Sequence, residues 1–112
     1  MTTVAVGHQA EVMVSEFLQR RGCQILAQNW RTRYCEIDIV AKRAGTVYVM
    51  EVKYRSSNRQ GSGMDYITPP KLRQMRFAAE LWVQANRWRG SYQLMAFEVT
   101  GADFSRGRLM LL

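Results

Sequence analysis

Only three residues, Arg43, Ala44 and Gly45, separate two segments that read as β-strands, Glu36 to Lys42 and Thr46 to Tyr54. Three residues cannot hold a crossover helix, so the two segments must run antiparallel as a hairpin. The second segment, Thr-Val-Tyr-Val-Met-Glu-Val-Lys-Tyr, is apolar on both of its faces, the pattern of a central strand covered from both sides. With Ala44 and Gly45 in the turn, counting outward pairs Arg43 with Thr46, Lys42 with Val47, Val40 with Val49, Asp38 with Glu51 and Glu36 with Lys53. Partners in such a ladder share a sheet face. The count therefore gathers Glu36, Asp38, Glu51 and Lys53 on one side of two adjacent strands.

Carboxylates facing each other on otherwise apolar strands repel in the protein interior, and something must offset that. One solution is a divalent cation: two carboxylates, with a backbone carbonyl and waters, suit Mg²⁺ or Mn²⁺. Lys53, on the same face as Glu51, could then orient an attacking water or stabilise charge on a phosphate. The other solution is a strand-end salt-bridge cluster in which Lys53 and Glu36 pair as ordinary surface charges. Alternation alone leaves both open.

The hairpin sits within a longer pattern. Ala10, Met13, Val14, Phe17 and Leu18 recur at helical spacing from about Gly7 to Arg21, and Gly22 supplies a stop. Glu11 lies at the flank of that apolar stripe, where a carboxylate can reach over the edge of whatever the helix packs on. Gln24 to Trp30 reads as a strand before the hairpin. After the hairpin, Ser56 to Tyr66 is rich in Gly and Ser and reads as a mobile loop of the kind that touches ligands. Thr68 then has the character of an N-cap, with Pro69 at the first helical position. Leu72, Met75, Ala79, Trp82 and Val83 continue a second amphipathic helix to about Arg87. Tyr92 to Val99 and Leu109 to Leu112 read as two final strands. The order is α-β-β-β-α-β-β: an α/β fold with a mixed central sheet flanked by helices, in one domain spanning residues 1–112.

Composition narrows the function. The 112 residues carry 16 basic and 9 acidic side chains, a formal net charge of +7, and 13 of the basic residues are Arg. Arginine matches phosphate geometry in a bidentate way, so the excess fits a polyanionic partner. Arg55, Arg59, Lys71, Arg73 and Arg76 flank the acids in sequence order and are the candidate phosphate contacts. No apolar run reaches the length of a membrane span and no leader pattern opens the sequence, so the expected compartment is the cytoplasm. Cys23 and Cys35, the two cysteines, have neither disulfide nor zinc spacing and read as reduced thiols. His8 reads as a solvated or capping side chain and Trp82 as core.

Asp38 followed thirteen residues later by Glu51-Val52-Lys53 resembles the PD-(D/E)xK nuclease pattern. The wider text adds Gly7-x-x-Ala10-Glu11, Asn29-Trp30-Arg31, Glu36-Ile37-Asp38-Ile39-Val40-Ala41, Val49-Met50-Glu51-Val52-Lys53-Tyr54-Arg55, and Lys71 at the start of the second helix. Together these resemble the YraN-type family of small bacterial proteins. Cys35 and Ala10 stand where such proteins commonly have Gly. The resemblance implies a restriction-endonuclease-like fold related to archaeal Holliday-junction resolvases, and a Mg²⁺- or Mn²⁺-dependent endodeoxyribonuclease activity. It further implies Asp38 and Glu51 as metal ligands, Glu11 completing the acidic cluster from the first helix, and Lys53 as the catalytic lysine. The implied partner is DNA, branched DNA in repair or recombination being the specific form, and symmetric cutting of two strands implies a homodimer. Two other readings stay open at this level: a nucleic-acid-binding module on the same fold that does not cut, and an adaptor whose basic face meets an acidic protein.

Overall fold

The computed structural model describes residues 3–55, 65–101 and 106–112. Helix α1 (Thr3–Arg20) leads into strands β1 (Gln24–Arg31), β2 (Glu36–Arg43) and β3 (Thr46–Arg55). Helix α2 (Pro69–Ala85) follows, then β4 (Ser91–Thr100) and β5 (Arg106–Leu111). The strands form one five-stranded mixed sheet in the order β1-β2-β3-β4-β5, with β3 at its centre. Only β3 and β4 run parallel, because α2 carries the chain back across the sheet between them; every other neighbouring pair is antiparallel. Among the described residues no helix is long and apolar enough to cross a membrane.

The two helices cover opposite faces. Ala10, Val14 and Leu18 of α1 pack on Ile39, Ala41, Met50, Met95, Phe97 and Val99. On the other side Met75, Ala78, Ala79 and Trp82 of α2 meet Ile37, Val40, Val47, Val49 and Leu94. This double cover is why β3 is apolar at both alternations: Val47 and Val49 point to α2 while Met50 points to α1. Trp82, 4% exposed, is the largest of the buried side chains in the α2 layer. Trp82→Ala should lower stability by about 3–5 kcal/mol through lost transfer energy and an unfilled cavity. Urea unfolding checks this, and a loss below about 1 kcal/mol would contradict the packing assigned to that layer.

Local signals act where expected. Thr68 caps α2, its hydroxyl accepting the Lys71 amide at 3.2 Å, with prolines in the first turn. Ala44 and Gly45 take φ of 51° and 80°, the left-handed pair of a two-residue hairpin turn. The last strand differs from the expected one: it begins at Arg106 rather than Leu109 and ends at Leu111, because Thr100↔Arg106 and Val99↔Gly107 extend its ladder with β4 back toward the turn. Gly107 is needed there, since a Cβ would fall 2.6 Å from the Phe97 ring. Helix α2 stops at Ala85, two residues short of the expected Arg87, which itself has a positive φ.

Candidate functional site

The hairpin ladder follows the sequence count from Arg43↔Thr46 through Lys42↔Val47 and Val40↔Val49 as far as Ile39↔Met50. There the recorded pairing ends. Side-chain alternation breaks at the same place, for Ile39 points to α1 and Ile37 joins the α2 layer with Val40. Asp38 lies at this break. Its Oδ2 accepts the Val52 amide of β3 at 2.8 Å, so a side chain serves a backbone donor beyond the last recorded β2–β3 pair. The carboxylate is thereby fixed at the mouth of a splayed hairpin, a placement that ladder counting cannot foresee.

Two further acids converge on it. Glu11 reaches in from α1, its side chain 15% exposed, within hydrogen-bonding reach of Asn29 and of Asp38. Glu51 comes from β3 on the α2 side, and its charge bears on Asp38 together with that of Glu11. One oxygen of each, Glu11 Oε2 and Glu51 Oε2, is buried without a hydrogen-bond partner among the described residues. Burial first, then the neighbouring carboxylates, push Asp38 up to about 7 against the opposing Val52 amide. Glu11 is also raised, chiefly by burial, with Asn29 and His8 acting the other way. His8 Nδ1 stands 3.8 Å from Glu11 Oε2 and its own side chain is exposed, in keeping with a solvated histidine.

The basic residues divide into separate roles. Lys53 is exposed and lies against Tyr66, its Nζ 5.6 Å from the ring centre. It makes no ion pair with a carboxylate among the described residues, so the Glu36–Lys53 pairing from the sequence count gives way to Glu36 with Arg31 at 3.3 Å. Lys71 instead reaches Glu51, Nζ to Oε1 at 2.7 Å. Arg55 is buried and engages Glu98 of β4 at 3.0 Å, which takes it off the exposed basic surface expected of it. Arg73 and Arg76 are exposed on the first turns of α2. Arg59 and most of the Ser56 to Tyr66 loop lie outside the described residues.

A cleft of about 280 Å³ runs between the splayed hairpin and α2, lined by Glu36, Asp38, Glu51, Lys71, Met75 and Ala78 among others. Its floor is acidic and its α2 wall carries Lys71. Two participants, Tyr66 and Glu98, had no role in the sequence reading, and two others, Asn29 and Lys71, stood in it without the contacts they make here. Asn29 adopts φ 51° inside β1 and turns toward Glu11; an Asn in a strand, tolerant of the left-handed region, is the signal that was there to find. Tyr66, its hydroxyl pushed up by burial and by Glu51, and the partners Glu98 and Lys71 are brought in only by tertiary packing.

The donors suit a hard divalent cation by type: three carboxylates, two with an unpartnered buried oxygen, and a third whose charge is disfavoured as it stands. Among the described residues, no three acid, His or Cys side chains are gathered closely enough to hold an ion in the arrangement shown, and an ammonium supplies the positive charge on Glu51.

Known proteins match this chain along most of its length. The model for the family described as Uncharacterised protein family UPF0102 matches residues 10–101. A UPF0102 protein of Vibrio parahaemolyticus is 30% identical over 104 residues, 89% of this chain and 86% of the relative. One from Neisseria meningitidis is 43% identical over 82 residues, 72% and 70% of the two chains. Another, from Vibrio vulnificus, is 33% identical over 95 residues, covering 85% and 78%.

Proposed function

The chain belongs to the UPF0102 family, the YraN-type family, and on that footing we propose that it is a metal-dependent DNA endonuclease that hydrolyses phosphodiester bonds. The observation that carries the reading is the convergence of Glu11, Asp38 and Glu51 at the splayed end of β2 and β3, where Glu11 Oε2 and Glu51 Oε2 are buried without a hydrogen-bond partner among the described residues. Three acids on an apolar scaffold are costly unless a cation joins them. Asp38 and Glu51, with Glu11 beside them, are the residues that would hold Mg²⁺ or Mn²⁺. When bound, such an ion supplies Lewis acidity and a more acidic water.

The chain's own residues do the rest. Asp38 is oriented by the Val52 amide, and Glu11 by Asn29, so the acids are held on regular elements rather than on loops. Lys53, exposed at the rim with its ammonium over Tyr66 and in no ion pair among the described residues, is the residue that would meet a phosphate oxygen. Arg73 and Arg76 extend the positive surface along α2, and the net charge of +7 favours the duplex backbone without reading its sequence. Branched DNA, and a homodimer to cut it symmetrically, are the specific forms that the resemblance to junction resolvases adds.

One observation favours a second reading. Lys71 neutralises Glu51 at 2.7 Å, a charge balance that suits a binding module that keeps the fold and does not cut. End-labelled four-way-junction and linear duplex DNA, incubated with Mn²⁺, Mg²⁺ or EDTA, separates the two. Cutting with metal and none with EDTA is expected. Salt-sensitive DNA binding with no cutting under any metal would transfer the assignment to the module.

A further inference from the structure

We propose that Lys71 competes with the divalent cation for Glu51, holding that carboxylate while the cation is absent and releasing it when the cation binds. The inference rests on the metal site of the preceding section. Lys71 is the third residue of α2, in a first turn with no acidic residue, where the positive end of the helix disfavours a cation. Its backbone is fixed by Thr68, so only the side chain is free to choose a partner. The partner it takes is Glu51 Oε1, and the other oxygen of the same carboxylate, Oε2, is buried without a hydrogen-bond partner among the described residues.

An ammonium and a divalent cation on one carboxylate repel each other strongly in a half-buried cleft. One must yield. Lys71 can, because its side chain is 34% exposed and its flexible stem can carry the ammonium to water at little cost. The exposed guanidinium groups of Arg73 and Arg76 lie on the same helix end, so the released ammonium joins a surface already suited to phosphate. Lys53 differs: it makes no ion pair with a described carboxylate, and removing it changes only the surrounding field.

Calorimetric titration of the full chain with Mn²⁺, without DNA and near neutral pH, tests this. Lys71→Met should bind Mn²⁺ roughly tenfold more tightly than the wild type, the size expected from one like charge removed at close range in a partly wet cleft. Lys71→Gln should match it, and Lys53→Met should shift affinity by about twofold or less. In the wild type, Mg²⁺ should also move the Lys71 Nζ resonance toward that of a solvated lysine. Equal or weaker Mn²⁺ binding by both Lys71 variants, or a Lys53→Met effect as large as theirs, would overturn the competition and leave the nuclease reading to its cleavage assay. No Mn²⁺ binding by the wild type or by either Lys71 variant would overturn both.

Discussion

Glu51→Ala should lose metal-dependent DNA cleavage to background, a fall of about a thousandfold or more, while the protein stays folded and still binds DNA. Glu51 and Asp38 are the hairpin carboxylates that would hold the cation, and no other described acid can take the place of Glu51 from β3, where its neighbours on that face are Val49 and Lys53. The fold should tolerate the change. Glu51 is partly exposed, its partner Lys71 is more so, and a pair of this kind contributes at most about 1 kcal/mol after screening. Removing the charge also relieves repulsion on Asp38. Affinity for duplex DNA at low salt should hold or rise, since the variant gains a unit of positive charge and frees Lys71. Cleavage at the wild-type rate by a purified Glu51→Ala protein would sink the nuclease assignment. Lost cleavage with lost folding, read by circular dichroism, would show that Glu51 is structural.

The second large effect is on stability and follows from Asp38. Its folded-state value of about 7 lies above the ordinary 3.8, so between those limits the folded protein holds a proton that the unfolded chain releases. Stability from this group is present in full below about pH 4 and is lost as pH rises through about 7. The loss is at most about 4 kcal/mol and on the order of 2 kcal/mol once partial exposure is allowed for. Glu11, also raised, acts with the same sign. About two thirds of that loss falls above pH 5, so wild-type protein should melt roughly 5 °C lower at pH 8 than at pH 5 in EDTA. Asp38→Asn keeps an oxygen for the Val52 amide and removes the ionisation, so it should flatten that dependence and melt higher than wild type at pH 8. Added Mg²⁺ should raise the wild-type melting temperature at pH 8 and leave the variant largely unmoved. Melting that is level from pH 5 to pH 8 in the wild type would refute the buried-acid account of this site.

Both predictions concern residues that the sequence already brought forward. The hairpin was legible because its constraint is local: three residues between strands permit one topology, and the left-handed pair Ala44 and Gly45 sets the register. The double cover of β3 was legible because burial on both faces leaves no room for polar alternation, and Glu11, Asp38 and Glu51 stand out against that apolar background. The Thr68 cap and its prolines likewise depend on neighbours in sequence.

Where β2 leaves β3 was not legible, and the site is built there. Periodicity carries the ladder on to Asp38 opposite Glu51 and Glu36 opposite Lys53, whereas the recorded pairing ends at Ile39↔Met50 and a carboxylate takes up the Val52 amide. That departure is decided by the layers packed on either side, with Ile37 drawn to α2 and Ile39 to α1. Which lysine meets which acid is also a tertiary matter. Lys53 shares a strand with Glu51 and lies against Tyr66, while Lys71, twenty residues after Glu51 in the chain, reaches that carboxylate from α2. The elements, the hairpin and the identity of the acids could be read before any packing was known, because they follow from spacing along one strand or helix. The pairing of charges emerged with packing alone, because long side chains from separate elements choose partners by distance and desolvation, and neither is written in local order.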